Sequence, residues 1–128
     1  MHTMTDRFTD ALHTLDADRD PGPLLELADE QTRLVKLGEH QDEHGRDGAE
    51  RFWTDYRNVF DELETTFTHQ VVGEHSAALE WTSTGTLRNG RPFTYQGVTV
   101  IEGDEERLTG IRTYYDSAAF LQESPGTA

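Results

Sequence analysis

No cysteine occurs among the 128 residues, which excludes disulfides and thiolate chemistry together. Lysine is almost as scarce. Lys36 stands alone beside ten arginines, against 25 Asp and Glu, for a formal net charge of −14. A surface of that sign repels phosphate backbones and anionic headgroups, so neither nucleic acid nor a membrane is an expected partner. Little lysine with abundant Asp and Glu fits a salt-adapted (halophilic) or high-GC source, and equally an ordinary acidic soluble protein. No apolar run approaches the ~20 residues of a membrane span. Met1-His2-Thr3-Met4-Thr5-Asp6 lacks the basic-then-apolar order of a signal peptide, and a cytoplasmic location is expected. The chain also lacks internal repeats, a Gly-rich phosphate loop, a nucleophile elbow and an HExxH motif.

What is present is dominated by strand-forming sequence. Ala77–Leu87, Phe93–Ile101 and Leu108–Asp116 are rich in β-branched and aromatic residues. They are separated by a turn at Arg88-Asn89-Gly90-Arg91-Pro92 and an acidic turn at Gly103-Asp104-Glu105-Glu106; Asn-Gly is a strong hairpin signal. Upstream, Phe8, Ala11, Leu12 and Leu15 give one apolar face to a helix over Asp6–Asp16, with Thr5 or Asp6 as cap. Asp16–Gly22 breaks it, and Pro23 opens a second short helix carrying Leu24, Leu25 and Leu27. Gln31–Leu37 reads as a short strand and Gly38–Gly48 as a polar loop. Ala49–Leu63 reads as a helix with Phe52, Tyr56, Val59, Phe60 and Leu63 on one face and Trp53 at its margin. Glu64–Glu74 alternates as a further strand. Ser117–Leu121 can form a final helical turn.

Helices before strands predict an α+β domain with helices packed on one face of a curved antiparallel sheet. One domain over residues 1–122 and a disordered tail over 123–128 are expected. A sheet curled around helices forms a cone whose mouth is a natural small-molecule pocket.

The order of these segments resembles the nuclear transport factor 2-like superfamily, in its SnoaL-like and ketosteroid isomerase-like branches. The resemblance rests on Leu24-Leu25-Glu26-Leu27-Ala28-Asp29-Glu30, on Gly48-Ala49-Glu50-Arg51-Phe52-Trp53, and on the sheet sequences Glu80-Trp81-Thr82, Gly90-Arg91-Pro92, Gly97-Val98-Thr99-Val100 and Arg112-Thr113-Tyr114-Tyr115-Asp116. It implies a cone-shaped α+β barrel and a homodimer through the outer sheet face, here Leu79, Trp81, Val98, Val100 and Tyr114. Members of that superfamily include isomerases, cyclases, dehydratases and non-catalytic binders, so the fold does not decide the function.

The catalytic patterns of these branches transfer poorly. The position matching the isomerase base is Val35, and that of its protonated acid is Thr99 or Val98. In an epoxide hydrolase pattern the acid falls on Thr113. In the cyclase pattern an acid/base Asp falls on Asp116, which also suits a helix N-cap. Matching the Asn89-Gly90 turn to the family places Glu80, Thr82, Thr84 and Thr86 toward the cavity. Glu80 and Asp116 are therefore the candidate proton-transfer groups, with His69 as a partner base. Tyr56, Trp53, Thr82, Thr99, Ile111, Thr113 and Tyr115 are the candidate ligand contacts, for a small apolar molecule. His40 and His44 lack a clear third ligand, so no metal is expected, nor any other cofactor.

Overall fold

The computed structural model describes residues 1–36 and 42–116. The elements are α1 (His2–Asp18), α2 (Gly22–Leu25), β1 (Ala28–Lys36), β2 (Glu43–His44), α3 (Gly45–Asn58), β3 (Phe60–Val72), β4 (Ser76–Leu87), β5 (Pro92–Gly103) and β6 (Leu108–Tyr115). The strands form one curved, open sheet in the order β2-β1-β6-β5-β4-β3. All neighbouring pairs are antiparallel except β1 with β6, which run parallel. The expected α+β cone is present, with an unclosed wall. No helix of the described residues is long and apolar enough to cross a membrane.

α1 begins earlier than its apolar spacing alone indicates. Met4 is fully buried, and its N–H donates to Glu105 Oε1 at 2.8 Å. The amino group of Met1 lies 3.3 Å from the same carboxylate. An acidic side chain at a helix N-terminus satisfies an orphan donor and complements the helix dipole. Because that carboxylate comes from the β5–β6 turn, local sequence pointed to Thr5 or Asp6 instead. At the other end Arg19 takes a left-handed conformation (φ 59) and its N–H closes on Leu15 O.

The expected helix over Ala49–Leu63 is corrected to two elements. α3 stops at Asn58, and Phe60 opens β3 opposite Leu87. Tyr56, Phe60 and Leu63 keep helical spacing, so the pattern reads through the break. Tertiary pairing ends the helix: the buried Arg57 guanidinium donates to the carbonyls of Leu15, Asp16, Phe60 and Asp61. It thus caps the last turn of α1 and ties it to the start of β3. The expected turn over Ser117–Leu121, the tail, and residues 38–41 of the expected Gly38–Gly48 loop lie outside the described residues; the rest of that loop is corrected to β2 and the first turn of α3, which starts at Gly45.

The β4–β5 register decides which side chains face the helices. Gly90 adopts φ +86, Leu87 N–H bonds Arg91 O and Gly90 N–H bonds Leu87 O, so three residues, Arg88 to Gly90, form the loop. Leu79 therefore sits opposite Thr99, and Trp81 opposite Gly97. A two-residue Asn-Gly turn would shift this pairing by one and turn every β4 side chain over. In the observed register Leu79, Trp81 and Ser83 are buried on the concave face, while Glu80 and Thr84 are exposed on the convex one.

Candidate functional site

A cavity of about 270 Å³ opens between the helices and the concave sheet face. Phe8 and Leu12 of α1 and Phe52, Trp53 and Tyr56 of α3 form its helical wall. Phe60, Trp81, Tyr95 and Tyr115 supply rings from four strands, and Lys36, Thr65, Thr99 and Thr113 supply polar atoms. The rings hold one another edge-on: Trp81 and Tyr95 have centroids 5.0 Å apart at 76°, and Tyr95 and Tyr115 5.7 Å apart at 87°. Such tilted contacts are the favoured aromatic geometry.

Three hydrogen-bonded groups fix the polar part of the wall. The Trp81 indole Nε1–H donates to Thr99 Oγ1 at 2.9 Å, and Thr99 Oγ1 lies 3.0 Å from Thr113 Oγ1. Gly97 makes this possible: a Cβ there would stand 2.7 Å from Trp81 Cζ2 and 2.3 Å from Tyr114 O. The Tyr95 hydroxyl donates to the Tyr56 hydroxyl at 3.4 Å. Burial, then the nearby Asp16 charge, pushes the Tyr56 phenol up to about 12. Burial also pushes Tyr95 far up, with Tyr56 adding to it. Both are therefore neutral phenols at physiological pH, able to donate hydrogen bonds. Thr65 and Ser83 share a bond of 2.8 Å.

Thr65 also lines a second, more open groove between α1 and β3, together with His13, Asp16 and Glu64. Asp16 is 4% exposed; neither carboxylate oxygen meets full hydrogen-bond geometry among the described residues, while the Thr65 hydroxyl and N–H approach it. Burial pushes its carboxyl up to about 6, against the weaker opposing influence of Thr65, Arg57 and His13. The sequence reading treated Asp16 only as the start of a helix break. Its signal was its place one residue after Leu15, at the margin of the apolar face of α1.

The candidate ligand contacts Tyr56, Trp53, Thr99, Thr113 and Tyr115 come together on the cavity wall. Ile111 is buried in the core instead. Thr82 is corrected to the convex face, as is Glu80, both because the three-residue turn sets the β4 register. His69 is exposed and stands opposite Glu80 after a bulge at Phe67/His69, so it too faces outward. Asp116 is exposed just beyond β6, where its N–H bonds Gln96 O. Glu80, His69 and Asp116 therefore do not meet in the cavity. Arg112 pairs with Glu102 and Arg51 with Glu43, so neither is spent on Glu80. Leu79 and Trp81, expected on the outer face, are buried inside, whereas Val98, Val100 and Tyr114 do face outward. Among the described residues no cluster of three or more His, Cys, Asp or Glu could hold a metal ion.

A curled sheet folded over an N-terminal helix pair, with an aromatic cavity between them, defines a nuclear transport factor 2-like α+β cone. The SnoaL-like domain family matches residues 5–111, and the chain belongs to that family. Solved structures share the fold at low identity. TerC, co-crystallised with polyporic acid, superposes with a TM-score of 0.78 at 15% identity, covering 94% of this chain and 96% of that one. A Catenulispora acidiphila protein of ketosteroid isomerase-like fold, in complex with trimethylamine, gives 0.78 at 17% identity over 91% and 90% of the two chains. A provisionally assigned SnoaL-like polyketide cyclase from Jannaschia sp. CCS1 gives 0.76 at 14% identity over 96% and 94%. No curated protein matches this chain.

Proposed function

We propose that this protein binds a compact aromatic or polycyclic small molecule in the cone. The observation that carries the reading is the cavity wall: both tryptophans of the chain, Trp53 and Trp81, line it with further rings from α1, α3 and three other strands. Its volume of about 270 Å³ lies at the small end of ligand pockets, which favours a flat, compact guest. That TerC was co-crystallised with polyporic acid supports a small-molecule role for this cone. Isothermal titration calorimetry against bicyclic and tricyclic aromatic compounds tests it. Binding is expected for the wild-type protein and is lost in Leu12→Trp, which fills the cavity. A variant that binds equally well, or a panel that gives no heat, overturns the reading.

Cofactor-independent acid/base turnover, as in an isomerase, cyclase or dehydratase, is the second reading. It is favoured by Asp16, buried, approached by the Thr65 donors and shifted to about 6 near Tyr56. The neutral Tyr56 phenol, which accepts from Tyr95, would donate to a carbonyl oxygen as it gains charge, and Asp16 would hold the proton. Turnover that survives Tyr56→Phe and Asp16→Asn unchanged sinks this assignment.

We also propose a homodimer through the convex sheet face. Val35, Arg112, Val100, Ala78 and Val71 lie in register across five strands, and Tyr114 and Val98 occupy the next row. Val71 is 59% and Tyr114 36% exposed, and an apolar patch of this kind marks an interaction surface. Sedimentation that gives a monomer at micromolar concentration in high salt would contradict it.

A further inference from the structure

The polarity of the hydroxyl chain on the cavity wall follows from its first member. An indole N–H only donates, so Thr99 Oγ1 accepts from Trp81. Thr99 is 6% exposed, and its own hydrogen needs an acceptor, because a buried hydroxyl left unspent is costly. The acceptor within reach is Thr113 Oγ1, at 3.0 Å. Thr113 therefore accepts from Thr99, and its hydrogen has no acceptor among the described residues. The chain Trp81 to Thr99 to Thr113 ends on a donor at the cavity wall.

The neighbour of that donor is a cation. Lys36 pairs in register with Thr113 across the parallel β1–β6 seam. Its Nζ lies 5.7 Å from the centroid of the Phe52 ring, and both side chains line the cavity. No carboxylate pairs with Lys36 among the described residues. In a chain of net charge −14, the sole lysine is thus held half-buried against an aromatic ring at the cavity wall, with no carboxylate paired to it among the described residues. Partial burial weakens screening by salt, so the Lys36 charge acts on a guest bound beside it.

The opposite edge of the concave face has the reverse character. The sheet order places β1 and β6 at one side and β3 at the other. Asp16 stands behind Thr65 of β3. The wall therefore runs from donors and positive charge at Lys36 and Thr113 to a buried carboxyl behind Thr65.

We infer that the guest of this cavity is an aromatic anion, whose carboxylate, phenolate or enolate oxygen is held between the Lys36 ammonium and the Thr113 hydroxyl, with its apolar body toward Trp81 and Tyr95. The inference rests on the small-molecule reading of the cavity and names the chemical class of that ligand. A charge-assisted oxygen at this place answers both unspent donors at once. A neutral guest of the same shape leaves the ammonium to be desolvated without return.

The test compares 2-naphthoate with 2-naphthamide, which share a ring system and differ in charge, by calorimetry at fixed salt and pH. For the wild-type protein the carboxylate is expected to bind roughly ten- to hundredfold more tightly than the amide, the range of one charged hydrogen bond. Lys36→Met is expected to remove most of that preference by weakening the carboxylate and not the amide. Lys36→Arg keeps the preference, and Thr113→Val reduces it in part. Thermal unfolding of each variant checks that the cone is intact. Equal affinity for the two probes in the wild type overturns the inference while leaving the pocket reading in place, as does a Lys36→Met variant that weakens both alike. If neither probe binds, the pocket reading falls and this inference with it.

Discussion

Trp81 and Thr99 are joined side chain to side chain across the place where position 97 has no side chain. The indole N–H reaches Thr99 Oγ1 at 2.9 Å, and the ring passes over Gly97, where a Cβ would approach it to 2.7 Å. One contact thereby fixes one of the two indoles of the cavity wall, the direction of the hydroxyl chain and the need for glycine in mid-strand. Elsewhere in a strand a glycine weakens packing; here it admits another residue's ring.

Replacing Thr99 by Val tests this contact. The isosteric change leaves the Trp81 Nε1–H buried without an acceptor and breaks the chain to Thr113. A loss of about 1–3 kcal/mol in urea unfolding is expected, together with a shift in tryptophan emission. Stability and emission equal to the wild type would mean that the indole finds water or another acceptor.

Much of the cone was legible in the sequence, because β-branched runs and helical spacing are local signals. The four long strands, the first helix and the ligand-wall residues Trp53, Tyr56, Thr99, Thr113 and Tyr115 follow from such signals and from family resemblance. The face of β4 did not. Arg88-Asn89-Gly90 admits either a two- or a three-residue loop, and one residue of register separates an inward Glu80 from an inward Trp81. Burial of Leu79 and Trp81 against the helices selects the second. The end of α3 was hidden for another reason: the aromatic spacing from Phe52 through Phe60 suits a helix, and the chain leaves it where Phe60 pairs with Leu87 and Arg57 holds the Phe60 and Asp61 carbonyls. Asp16 and Lys36 were read as a helix break and as composition, since a buried or ring-packed charge becomes visible only once distant strands are in place.

The corrected register makes a plain prediction for Glu80. The side chain is exposed on the convex face beside His69, away from every lining residue of the cavity. Glu80→Gln is expected to leave aromatic-ligand affinity unchanged in calorimetry and to alter stability by less than about 0.5 kcal/mol. A several-fold loss of affinity would mean that β4 adopts the alternative register in solution.

Asp16 predicts an unusual pH dependence. Its carboxyl is raised from an ordinary value of 3.8 to about 6, chiefly by burial, so the folded state binds its proton more tightly than the unfolded chain does. An acid shifted upward opposes folding once ionised. Its penalty is absent below about pH 4, grows as pH rises from 4 to 6, and is complete above that, at about 3 kcal/mol for a shift of this size. Asp16→Asn removes the charge and keeps the shape. The variant is therefore expected to be more stable than the wild type at pH 8, with the advantage shrinking or vanishing at pH 4.5. Urea unfolding at the two pH values reads the difference directly. An equal effect at both would show that Asp16 does not change protonation across this range, and that Arg57, whose guanidinium binds the carbonyls beside it, keeps the carboxylate charged throughout.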